Sequence, residues 1–156
     1  QSTAALSGLV AQHFFFLKVG PELTFRFREA VWALADIAQN MGLDTGPLVT
    51  DVVEQRMIQK PQYWQDYYSG SDAEIASLRR FSYSDRIRYY WTDPDVATAL
   101  DALLAALSGV KLPETLVSQV FMGHEFGRIP TDAATLLENH VQRCIARYFQ
   151  AAGFDQ

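Results

Sequence analysis

Between Arg79 and Trp91 the chain reads Arg-Arg-Phe-Ser-Tyr-Ser-Asp-Arg-Ile-Arg-Tyr-Tyr-Trp, with no glycine or proline to make it a loose loop. A guanidinium brings a fixed fork of donors and a flat face that stacks on rings. Three chemistries suit this stretch. Ser82, Ser84, Arg86 and Arg88 could together face a phosphate through charge-assisted hydrogen bonds. Asp85 could instead pair with Arg86 and Arg88 in a structural network while the rings fill a core, because buried charges are normally paired. The same residues also suit a contact surface, where Arg, Tyr and Trp are enriched. Asp85 would repel an anion, which weighs toward the structural network.

A second candidate lies at Lys18, Gly20 and Thr24. If Gly20 ends a strand and a helix starts at Pro21, backbone N–H groups and the helix dipole face an anion there, and Lys18 adds a charge. The same pattern is also ordinary turn chemistry. Metal ligation has little support. His124-Glu125 lacks the second histidine of a zinc-protease helix, and His140 and Cys144 alone are too few for a catalytic zinc. There is no Gly-Lys-Ser/Thr loop or kinase glycine loop, and no spacing that singles out a nucleophile triad. The site residues are therefore binding or structural; none reads as catalytic, and none as a metal ligand.

The elements that must position these residues read as mostly helical. Residues 3–12 have the spacing of a helix end. Residues 14–19 are a short, continuous apolar run that predicts a strand buried on both faces. Leu23, Phe27, Ala30, Val31, Leu34 and Ile37 then mark one face of a helix closed by Asn40-Met41-Gly42. Gly46-Pro47 opens another, carrying Leu48, Val52, Val53 and Met57. Ser71-Asp72-Ala73-Glu74 fits a capping box, and Asp93-Pro94-Asp95 a capped, proline-led start. Leu112-Pro113-Glu114 begins a short helix, and Thr131-Asp132 caps the last, with Leu137, Val141, Cys144, Ile145 and Tyr148 on its inner face. One strand alone cannot satisfy its own backbone. It must pair with chain outside this sequence, through a missing upstream barrel or by self-association, or it is not a strand.

A chain of 156 residues, 49% apolar and 20% charged, can bury about two thirds of its unfolded surface in one core. The net charge of −5 argues against nucleic acid as a partner. A single cysteine, Cys144, excludes an internal disulfide. No apolar run approaches the roughly 18–20 residues a bilayer requires, so no membrane partner is expected. The start at Gln1 lacks methionine, which favours a piece of a longer chain.

The arginine stretch also resembles a known family. Ser82-Tyr83-Ser84-Asp85-Arg86, followed by Arg88-Tyr89-Tyr90-Trp91, is similar to the signature of the non-catalytic subunit of class II D-tagatose-1,6-bisphosphate aldolase, some members of which are labelled tagatose-6-phosphate kinases. Phe16-Leu17-Lys18-Val19-Gly20-Pro21-Glu22-Leu23-Thr24-Phe25 and Leu116-Val117-Ser118-Gln119 resemble two further family blocks. Thr92, where the family has proline, and Val120-Phe121-Met122-Gly123 depart from it. The resemblance implies a fragment of an α/β barrel protein. Residues 1–42 would be the last βα unit of a (β/α)8 TIM-type barrel, and residues 43–156 an all-helical C-terminal extension. It also implies a cytoplasmic protein of galactitol and N-acetylgalactosamine catabolism. That protein would hold no cofactor itself and would support a zinc-dependent catalytic aldolase subunit, with a sugar phosphate as a further ligand. The rivals are a sugar-phosphate-binding barrel enzyme that acts by itself and a stand-alone helical interaction module.

Overall fold

The computed structural model describes residues 2–14, 16–121 and 127–154. Seven α-helices are present among them: α1 (Thr3–Ala11), α2 (Glu22–Asn40), α3 (Val49–Gln59), α4 (Asp72–Phe81), α5 (Pro94–Leu107), α6 (Glu114–Val120) and α7 (Ala133–Ala151). Short 3-10 turns at Pro61–Tyr63 and Ile87–Tyr89 complete the set. The helical class is as the sequence predicts.

The local signals explain most boundaries. Ser71 and Glu74 close a reciprocal capping box on α4, satisfying two first-turn donors. Asp93 caps α5 by accepting from the Asp95 amide at 3.2 Å, with Pro94 at the first helical position. Asp132 accepts from the amides of Ala134 and Thr135 to start α7. Gly42, at φ 67°, ends α2 and lets the Leu43 amide reach back to the Ala38 carbonyl, a left-handed cap that only glycine adopts cheaply. The helix expected from Gly46-Pro47 starts later, at Val49, because Asp44 first draws the Gly46 amide into a turn.

Helix α2 is the central element, packed against α3, α5, α6 and α7. Enclosure by four helices is why Ala30, Val31, Leu34, Ala35, Ile37 and Ala38 are all buried. The main core joins them to Val53, Met57, Val96, Leu103, Leu107, Leu112 and Val117, each large aliphatic side chain contributing about 1.5–3 kcal/mol by leaving water. A second, smaller cluster holds Leu6, Cys144, Tyr148 and Ala151, with Leu17, Val19 and Leu23 against it.

Two expectations are corrected. No strand forms among the described residues. Residues 16–19 run as coil, with Phe14 57% and Phe16 91% exposed, so the expected strand buried on both faces does not form among the described residues. The physical reason is the missing neighbour: with no second strand alongside, only Leu17 and Val19 find apolar partners, and Phe16 and Lys18 face away into water. The inner face of α7 is also rotated. Ala133, Leu136, Cys144, Tyr148 and Ala151 are buried, while Leu137, Val141 and Ile145 are half-buried.

Candidate functional site

The arginine stretch spans the end of α4, a turn, and the 3-10 turn at Ile87–Tyr89. Its only fully buried charge, Asp85, does not meet Arg86. The Asp85 carboxylate accepts from Arg28 Nε at 3.1 Å, across 57 positions of sequence. Arg28 also donates to the carbonyls of Arg80 at 2.7 Å and Ser82 at 3.5 Å, and its guanidinium lies 4.5 Å from the Phe25 ring centroid. One arginine of α2 thus ties down the whole turn. Burial pushes the Asp85 carboxyl above its ordinary value, against the pull of Arg28. Arg28 falls in phase with Phe25, Val31 and Ala35 on the buried side of α2; a charge at an apolar position was the one sequence signal for it.

The other residues of the stretch divide in two directions. Ser82 Oγ accepts from the Ser84 amide at 3.1 Å, and the Ser84 carbonyl accepts from the Tyr68 hydroxyl at 2.7 Å. Arg86 lies over the Tyr67 ring, 3.3 Å from its centroid. Arg88 donates to the Asp85 carbonyl at 2.6 Å and to the Tyr89 hydroxyl at 2.9 Å. The hydroxyls of Ser82 and Ser84 are not brought together with Arg86 and Arg88 around a cavity, and none of the four lines either of the two clefts described here.

The first-turn region of α2 does line a cleft. Lys18, Gly20, Pro21 and Glu22 border a cavity of about 540 Å³ closed by Arg26, Tyr83, Arg147 and Tyr148. Gly20 turns with φ 64°, and α2 begins without a side-chain cap, so its first amides are left for another acceptor. Thr24 is spent locally, donating to the Pro21 carbonyl at 3.0 Å, and does not line the cleft. Glu22 lies among the cations: it is ion-paired with Arg147, stands 3.8 Å from Arg26, and is 3.5 Å from the Tyr148 hydroxyl. Arg147 is matched by Glu22 and Arg26 by Glu29, so the excess positive charge bordering the cleft is Lys18, beside the positive end of a helix, a setting that favours an anion. Arg147 and Tyr83 were not visible in the sequence as members, because α7 and the arginine stretch arrive there only on folding; Arg26, one turn after Glu22 on α2, was within local reach but not singled out.

A larger groove of about 870 Å³ adjoins this cleft and shares Phe25, Arg26, Tyr83 and Arg147 with it. It follows the seam of α2 and α7, where His140 Nε2 meets Glu29 Oε2 at 3.1 Å. Burial opposes ionisation of Glu29, but His140 and Arg26 outweigh it and hold the carboxyl below its ordinary value. Cys144 is buried, and burial pushes its thiol up. No cluster of three potential metal ligands occurs among the described residues; His124 and Glu125 lie outside them. No helix of the described residues is long and apolar enough to cross a membrane.

Comparison with known proteins gives a consistent answer. The family described as D-tagatose-1,6-bisphosphate aldolase subunit GatZ/KbaZ-like matches residues 1–153. A D-tagatose 6-phosphate 4-epimerase of Agrobacterium fabrum is 40% identical over 161 residues, covering 98% of this chain and 36% of the relative. The crystal structure of a probable tagatose 6 phosphate kinase from Sinorhizobium meliloti 1021 superposes with a TM-score of 0.91 at 42% identity, over 97% of this chain and 40% of that one. The chain therefore spans well under half the length of either relative.

Proposed function

The chain belongs to the D-tagatose-1,6-bisphosphate aldolase subunit GatZ/KbaZ-like family, and from that membership we propose that it serves as a non-catalytic subunit supporting a separate, zinc-dependent aldolase subunit. The partner would cleave tagatose 1,6-bisphosphate to dihydroxyacetone phosphate and glyceraldehyde 3-phosphate, in cytoplasmic galactitol and N-acetylgalactosamine catabolism. Zinc belongs to that partner, and this chain contributes binding and stability. The observation that carries the reading is the cleft bordered by Lys18, Arg26 and Arg147 at the start of α2, in a chain whose family and whose two relatives described above are named for tagatose phosphates. The sugar's phosphate would sit over Gly20 and Glu22, displacing Glu22 from Arg147. In the longer protein, residues 1–42 would form the last strand-helix unit of a barrel, with residues 14–19 paired to neighbouring strands, and residues 43–156 the helical extension.

A second reading has its own support: the 40% identical relative is named a 4-epimerase, so the protein would act on tagatose 6-phosphate by itself. One assay separates them. The full chain is incubated with tagatose 6-phosphate alone, and separately with the catalytic aldolase subunit and tagatose 1,6-bisphosphate. The subunit reading expects no turnover alone and a faster, longer-lived aldolase in the mixture. Turnover alone, with no effect on the aldolase, would replace it with the second reading. Under both, added tagatose 6-phosphate raises the melting temperature, and Lys18→Met removes most of that rise without shifting the ligand-free melt.

A further inference from the structure

We propose that the tyrosine-arginine surface formed by the 3-10 turns at Pro61–Tyr63 and Ile87–Tyr89, with the intervening Tyr67, docks an acidic segment of a partner protein. The inference goes beyond the sugar-phosphate reading, since none of these residues lines either cleft. Three tyrosines are displayed there: Tyr67 at 61% exposure, Tyr89 at 42% and Tyr63 at 40%. Tyr63 and Tyr89 stack with centroids 5.1 Å apart. Arg86 lies over Tyr67 at 3.3 Å and Arg88 over Tyr89 at 4.5 Å.

The charges make the surface unusual within this molecule. Arg26, Arg28, Arg56, Arg79, Arg80 and Arg147 each meet a carboxylate. Arg86 and Arg88 meet rings, a hydroxyl and a carbonyl, with no carboxylate at ion-pair distance among the described residues. The Arg86 Nε is buried without a hydrogen-bond partner. A chain of net charge −5 thus carries two half-buried guanidiniums that form no ion pair among the described residues. Stacking covers the flat face of a guanidinium and leaves its in-plane donors at the edge, the geometry that takes a carboxylate. The rings are also held in place before any partner arrives. Tyr68, next to Tyr67, and Tyr90, which ends the second turn, anchor to the carbonyls of Ser84 and Lys60, so less ordering cost remains. Exposed, rigid aromatics beside arginines are the composition of binding hot spots. Charge complementarity then selects an acidic partner over an apolar one. Two cations without a concave pocket do not suit a free phosphate, and too few charges are gathered for a nucleic-acid backbone.

The test uses the full chain and a fluorescein-labelled oligoglutamate peptide, followed by anisotropy. Saturable binding is expected, falling with added salt and weakened about tenfold by Arg86→Gln or Tyr67→Leu. Inorganic phosphate at equal concentration should not compete, and a single-stranded RNA oligonucleotide should bind more weakly. Tyr67→Leu alters an exposed side chain, so it decides the matter if the arginine variant fails to fold. Absence of saturable binding, indifference to Tyr67→Leu, competition by phosphate, or tighter binding of RNA would each overturn the proposal.

Discussion

Arg28 and Asp85 are a buried pair whose two halves are not equally replaceable. Arg28 serves three acceptors, the Asp85 carboxylate and the carbonyls of Arg80 and Ser82. Arg28→Met leaves all three without their donor, at an expected cost of about 3–5 kcal/mol in urea unfolding. Asp85→Asn keeps an acceptor for Arg28 and relieves the burial of a charge, so about 1–2 kcal/mol is expected. The double variant should cost less than the sum of the two; additive costs would mean the residues act independently. Burial raises the Asp85 carboxyl in the folded state. Its contribution is therefore complete below the unfolded-state value of about 3.9 and declines as pH rises through the raised value. Losing Arg28 raises that value further. The Arg28→Met penalty should be larger near pH 7 than near pH 4, and equal penalties would contradict the assignment.

At the scale of elements, Asp93 joins the start of α5 to the C-terminal end of α3. Its carboxylate caps α5, accepts from Arg56 of α3 at 2.9 Å, and accepts from Lys60 at 2.6 Å. The Arg56 and Lys60 hydrogen bonds hold the carboxyl down at about 2. A lowered carboxyl stabilises the fold above its unfolded value of about 3.9, and that contribution is lost as pH falls toward the folded value. Asp93→Asn keeps a competent cap but loses the charge, so a cost of about 1 kcal/mol near neutral pH is expected. The variant's urea midpoint should also change less than the parent's between pH 5 and pH 2; parallel acid limbs would refute the role. The elements legible in the sequence were those with such signals at their ends. Residues 14–19 carried no comparable signal. An apolar run becomes a strand only when another strand meets it, and among the described residues none does.

The molecule as a whole has a large core around α2 and a small satellite where α1 and residues 17–23 rest on the end of α7. Unequal burial predicts unequal local stability. Leu6, 1% exposed, anchors α1 to the satellite. Leu6→Ala should cost about 2–4 kcal/mol locally. In amide exchange, α1 should then lose protection while Leu34, Ile37 and Leu103 keep theirs. Uniform loss across the chain would show a single cooperative core. The cationic cleft lies at the edge of this satellite, with Lys18, Glu22 and Arg147 supplied by segments that the small cluster holds together.

The capped helix starts and the glycine-ended stop of α2 were decided by sequence alone, because a cap, a proline or a glycine acts on amides one to four positions away. Asp93-Pro94, Asp132 and the Ser71 to Glu74 box all work within a single turn. The tagatose-phosphate family was legible for a similar reason, since its motifs are contiguous runs. Tertiary structure alone decided what meets what. Arg28 finds Asp85 across 57 positions, Arg147 reaches Glu22 across 125, and residues 16–19 remain coil. Each of these outcomes depends on which distant segment arrives alongside, and no local spacing encodes that arrival.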